Sequence, residues 1–119
     1  MTYIKIAGQQ YPATISGKKA DREWDDRESK AITLEMDYAT AASLFVDGAE
    51  WSIIYQADSY TDPEAEEVVV TPEPIEYDNS EFYVAGPITD NRDGTVTVKM
   101  GQPTAAEMLA ELQEVLTND

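Results

Sequence analysis

The chain has 119 residues, 24 acidic and 8 basic side chains, and a formal net charge of −16. That length predicts a single domain over residues 1–119, burying roughly two-thirds of its unfolded surface, and the charge argues against free nucleic acid and anionic membranes while favouring a basic protein surface or a divalent cation. Without cysteine or histidine, the chain has no disulfides, thiolate zinc sites, histidine-bound transition metals or histidine-activated nucleophiles.

The N-terminal segment MTYIKIAGQQ lacks the charged start and long apolar stretch of a secretory leader. No apolar run is long enough to span a bilayer. The expectation is synthesis and folding in a bacterial cytoplasm.

Thr2–Ala7 alternates, with Ile4 and Ile6 on one side, and Tyr11–Ser16 resumes the pattern with Tyr11, Ala13 and Ile15. The two segments read as a hairpin turning at Gly8-Gln9-Gln10 and ending at Gly17. Lys18–Lys30 is charged with both signs and reads as a loop around Trp24. Ala31–Met36 is a strand by its alternating Ile32, Leu34 and Met36. Asp37 is placed to cap a short helix carrying Tyr38, Ala41, Ala42 and Phe45, with Gly48 just beyond its end. Glu50–Ala57 returns to a strand, with Trp51, Ile53 and Tyr55 on one face.

From Asp58 to Glu81 there are nine carboxylates, three prolines and no basic residue. This acidic insert, 58–81, reads as a solvated excursion between strands. Its Val68-Val69-Val70 is β-prone but bounded by Glu66-Glu67 and by Pro72 and Pro74, which favours a short edge strand or a hairpin tip over a central strand. Phe82–Ala85 and Ile88–Asp90 then form one strand bent at Gly86-Pro87. Asn91-Arg92-Asp93-Gly94 is a turn, and Thr95–Met100 is a strand with Val96, Val98 and Met100 inward. Thr104 and Glu107 match a capping box. The helix that follows carries an apolar stripe of Met108, Leu109, Leu112, Val115 and Leu116, predicted to dock on the sheet. The order implies an α+β domain: a mostly antiparallel curled sheet or partial barrel of about six strands, one short internal helix and a C-terminal amphipathic helix.

The carboxylate pairs Asp25-Asp26, Glu66-Glu67 and Asp90/Asp93 invite a hydrolase reading, which needs two acids held roughly 5 to 9 Å apart. In so acidic a chain, however, such pairs arise by chance. Asp90–Gly94 resembles a calcium loop but fails it: with Gly94 at the sixth position, the first would be Thr89 and the twelfth Met100. No cofactor and no metal site is expected, although flexible carboxylates of the insert could gather calcium weakly. Glu23-Trp24-Asp25-Asp26-Arg27 reads in two ways. Trp24 either plugs the end of the sheet with Arg27 paired to an acid, or anchors a contact, since Trp and Arg are enriched at binding hot spots. The candidate interaction residues are Trp24, Asp25, Asp26 and Arg27, together with Asp62, Glu64, Glu66 and Glu67 of the insert. Trp51, Tyr55, Phe82 and Tyr83 are expected in the core or on a sheet face.

Several runs carry a resemblance: Tyr11–Gly17, Glu23–Arg27, Lys30–Met36, Phe45–Gly48, Trp51–Ile54, Glu76–Ser80, Arg92–Val96 and Lys99–Gly101. In this order they are similar to small uncharacterised proteins encoded in prophages of Firmicutes, in the tail or baseplate gene region. The resemblance implies a virion-assembly setting, incorporation into a virion, and other phage structural proteins as partners. It carries over no catalytic residue. The function expected is that of a non-enzymatic phage structural or accessory protein acting through protein–protein contacts. The alternatives are an acidic imitation of DNA that blocks a host nucleic-acid enzyme, and a small hydrolase.

Overall fold

The computed structural model describes residues 1–62, 64 and 68–117. Strand β1 (Thr2–Ile6) turns at Ala7-Gly8 into β2 (Gln9–Asp21), and β3 (Arg27–Glu35) runs back along it. Ala7 and Gly8 both have positive φ, 53° and 77°, the backbone of a two-residue hairpin turn whose twist matches its strands. The turn therefore sits one residue earlier than the glutamines suggested. Helix α1 (Tyr38–Leu44) and β4 (Trp51–Tyr55) follow, then a separate hairpin of β5 (Tyr60–Asp62) and β6 (Val68–Val70). Strands β7 (Ile75–Asp78), β8 (Val84–Asp90) and β9 (Thr95–Gly101) and helix α2 (Ala105–Thr117) complete the chain.

Seven strands form one antiparallel sheet in the order β7-β4-β1-β2-β3-β9-β8, and β5 pairs only with β6. The class is α+β, but the sheet is open, neither curled nor closed as a partial barrel would be. Closure would require β7 and β8 to pair. Instead, residues 79–83 between them turn inward: Phe82 N donates to Asn79 O (3.0 Å), and the Phe82 ring enters the core. The described strands number nine, against about six anticipated, because the insert contributes β5, β6 and β7.

The alternating positions form the core. Ile4 and Ile6 of β1, Trp51 and Ile53 of β4, Ile32 and Leu34 of β3, and Val96, Val98 and Met100 of β9 join Ala41, Phe45 and Phe82 in one buried cluster. Burial of each large side chain contributes about 1.5–3 kcal/mol before chain entropy is counted. Trp51 donates from Nε1 to Phe82 O (3.0 Å), and its ring meets Phe82 edge-on at 6.5 Å. Helix α1 packs on β8 and β9. Asp37 caps it, with Oδ1 accepting from Thr40 N at 2.6 Å. Gly48 has φ 84° but lies beyond the helix end at Phe45, where its N–H donates to Tyr83 O.

Two expectations need correction. Lys18–Lys30 is not a loop: β2 runs through Gly17 to Asp21 and β3 starts at Arg27, so the turn shrinks to residues 22–26. Polar partners rather than alternating apolar side chains hold this extension, leaving no period in the sequence. Helix α2 does form its capping box, Glu107 N to Thr104 Oγ1 (3.2 Å) and Thr104 N to Glu107 Oε1 (2.9 Å). It does not dock on the sheet, however: Met108, Leu109 and Leu112 are each at least half exposed. The side chains of Val115 and Leu116 lie outside the described ones.

Ile32→Ala is expected to lower stability in urea by about 2–5 kcal/mol, since Ile32 is fully buried. Val69→Ala on the exposed face of β6 should leave it within about 0.5 kcal/mol.

Candidate interaction surface

The Trp24 turn is built from its backbone outward. Trp24 N and Asp26 N both donate to Asp21 O at 2.9 Å. Asp25 and Asp26 adopt left-handed conformations, φ 58° and 57°, which short carboxylates tolerate better than most side chains. The acid pair is therefore turn chemistry, and both side chains are exposed.

Trp24 lies across the end of the sheet. A Cβ on Gly86 would approach its ring to 2.5 Å, and one on Gly101 would come within 2.7 Å of Arg27 Cδ and 2.9 Å of the indole. The two glycines thus form the seat of the indole. Arg27 stacks on the ring, its guanidinium carbon 4.5 Å from the centroid. Its side chain is 3 % exposed. It donates to Trp24 O (3.2 Å) and Gln102 O (3.3 Å), and doubly to the Glu107 carboxylate (2.8 and 3.0 Å). Asp25 lies farther off, at 3.5 Å. The acid paired with Arg27 is thus chiefly on α2; half-buried Trp24 packs against Arg27, Gly86 and Gly101, while Asp25 and Asp26 stay exposed.

A neighbouring cluster escaped the sequence reading. Asp21 is fully buried and accepts from Lys99 Nζ (2.9 Å), Ser29 Oγ (2.9 Å) and Glu23 N (3.2 Å). The Lys99 hydrogen bond, foremost, holds its carboxyl below the ordinary range against the opposing effect of burial. The Arg27 hydrogen bonds do the same for Glu107. No spacing rule joins Asp21 to Lys99; the pairing of β3 with both β2 and β9 does.

The insert divides in two. Asp62 ends β5 opposite Val68, and Glu64 follows in a turn; Glu66 and Glu67 lie outside the described residues. The hairpin exposes Tyr60, Val68 and Val69. Beyond Pro74, the insert supplies β7, an edge strand of the main sheet, so it is more than a solvated excursion.

Tyr77 stands opposite Ile53 and Ile75 opposite Tyr55, and Tyr55, Ile75 and Tyr77 are each about half exposed. The two tyrosine rings meet edge-on at 5.7 Å. These residues, with Ile53, Lys30, Asp78, Asn79 and Glu81, line a shallow groove of about 600 Å³. Lys30 closes its inner end, donating to Asn79 Oδ1 and lying 4.6 Å from the Phe82 centroid. Glu76 and Asp78 point to the opposite face, where Lys5 is 3.9 Å from Glu76.

Among the described residues, no three acidic side chains gather as metal ligands, and no helix is long and apolar enough to cross a membrane. Comparison with family models, curated proteins and solved structures returned no match.

Gly101→Ala is expected to cost about 1–3 kcal/mol in urea unfolding. Gly17→Ala, whose added Cβ meets nothing closer than 4.0 Å, should change stability by no more than about 0.5 kcal/mol.

Asp21 and Glu107 titrate lower in the folded chain than in the unfolded one. Their stabilisation is complete above the unfolded value of about 4 and is lost as pH falls through the lower folded one. Urea midpoints should therefore drop as pH falls from about 5 to about 2. Asp21→Asn should be less stable at neutral pH and show a shallower acid decline; an unchanged decline would remove Asp21 from this account.

Proposed function

We propose that this chain is a non-enzymatic phage or prophage structural or accessory protein, of the tail or baseplate region, that works through protein–protein contacts. The observation that carries this reading is the half-exposed apolar surface of Ile75 and Tyr77 on β7, which among the described residues is an edge strand, and of Tyr55 beside them on β4. Apolar surface placed beside open backbone groups is suited to a second chain rather than to a small substrate. Helix α2 and the β5–β6 hairpin expose further apolar residues.

The ionisable groups buried in the described chain support the same reading. Asp21 and Arg27 are bound to structural partners, and their hydrogen bonds tie strands and helix together. The virion setting rests on the resemblance of the sequence runs to prophage proteins of the tail and baseplate region. The net charge of −16 favours partners with a basic surface.

The test is to purify assembled particles and assembly intermediates from an induced lysogen and search both for this protein by mass spectrometry. A fixed ratio to a tail or baseplate component is the expected result. Absence from both would defeat the structural role.

A further inference from the structure

We propose that β7 is a receptor edge for an extended, basic segment of another protein, which adds to the sheet as an eighth strand with alternating apolar and basic side chains. The proposal rests on the reading of this chain as a contact protein and names the surface and the chemistry of its partner.

Asn79 N donates to Trp51 O, which makes that pair hydrogen-bonded. In an antiparallel ladder, bonded and non-bonded pairs alternate. Tyr77 and Ile75 therefore bond inward to Ile53 and Tyr55, and the N–H and C=O groups of Glu76 and Asp78 face the open edge. Pro74 lacks a donor at the next outward position, which limits the edge to these two residues.

Side-chain chemistry then defines the occupant. On the groove side, an added strand meets Ile75 and Tyr77, backed by Tyr55 on β4, which suit apolar side chains. On the other side it meets Glu76, 3.9 Å from Lys5, and Asp78, whose Oδ1 accepts from Ser80 N and Oγ; the remaining carboxylate oxygens suit Lys or Arg. Like charges directly opposite one another in a sheet are unfavourable and opposite charges favourable, so the edge selects a period-two apolar/basic segment. Recognition of an extended peptide by an open edge with alternate side-chain pockets is an established mode of binding.

The charge pattern also argues against a second copy. Each chain carries −16, and two β7 edges would set Glu76 and Asp78 of one against the same residues of the other. Helix α2 of another copy would bring an apolar stripe, but with Glu107 and Glu111 and no lysine or arginine. A carboxylate edge thus repels its own kind and admits a basic strand, so affinity and specificity arise from the same groups.

The test uses the isotope-labelled full chain and short synthetic peptides. One alternates valine and lysine, a second has the same composition in two blocks, and a third alternates valine and glutamate. The alternating basic peptide should move the amide resonances of 75–78 and slow hydrogen exchange at Glu76 and Asp78. The other peptides should bind at least about tenfold more weakly, and raising ionic strength from about 0.05 to about 0.5 M should weaken the complex. Glu76→Lys and Tyr77→Ser, at exposed positions, should each reduce binding about tenfold or more while leaving the thermal midpoint near that of the parent.

Equal binding of the blocked peptide would overturn the proposal, as would shifts confined to α2 or to 60–70. So would an unmoved β7 at millimolar peptide, or self-association abolished by Tyr77→Ser. A chain found in particles that ignores the peptide loses only the receptor edge. One absent from particles that binds it loses only the virion setting.

Discussion

The end of the sheet depends on one buried charge. The guanidinium of Arg27 is almost wholly enclosed, and an isolated cation there would be strongly unfavourable. It is tolerated because two backbone carbonyls, a bidentate carboxylate and an indole face surround it. Each partner comes from a different part of the chain: the turn at Trp24, the exit of β9 at Gln102, and helix α2 at Glu107. Satisfying this one group therefore fixes the turn, the path out of the sheet and the root of the helix together. Gly86 and Gly101 are small for the same reason, since the indole, joined at Gly101 by Arg27 Cδ, occupies the space a Cβ would need.

The charge asymmetry of the chain acquires a structural meaning from this arrangement. Arg27, Lys30 and Lys99 are drawn against the body, to Glu107, Asn79 and Asp21 respectively. Asp21 is buried with them, the other five bases (Lys5, Lys18, Lys19, Arg22 and Arg92) are exposed, and the insert has no base to offset its own carboxylates. The sheet edge at β7 is thus both apolar and acidic, with Lys5 3.9 Å from Glu76 on one face and Lys30 at the inner end of the groove on the other. The proposed contact role joins these facts: three of the eight bases hold the scaffold from within, and the carboxylates of β7 stand beside exposed tyrosines at its edge.

Where side chains alternate by burial, the elements were legible in the sequence. β1, β3, β4 and β9, the Asp37 cap and the Thr104–Glu107 box follow from local pattern and chemistry. The distal half of β2 was not legible, because Asp21, Ser29 and Lys99 stabilise it and meet only through strand pairing across 78 residues. Strand β7 was hidden for the opposite reason. Its exposed Ile75 and Tyr77 alternate with Glu76 and Asp78, but acidic and proline-rich surroundings made the whole insert read as solvated. The stripe of α2 was legible as amphipathic; its destination was not, since periodicity shows that a face is apolar without showing what covers it. Among the candidate contact residues, the packing of Arg27 on Trp24 is local, three residues apart, and matches one of the two readings of that turn; the long-range part is the carboxylate of Glu107, 80 residues away, which no local pattern reveals.

The most direct test of this account is a double-mutant cycle on Arg27 and Glu107, using Arg27→Met, Glu107→Gln and the pair, followed by urea unfolding and hydrogen exchange along α2. Coupling on the order of 1 kcal/mol, with faster exchange in the first turns of α2 in both single variants, is the predicted result. Additive effects, with α2 exchanging as in the parent chain, would contradict the claim that this buried charge organises the end of the fold.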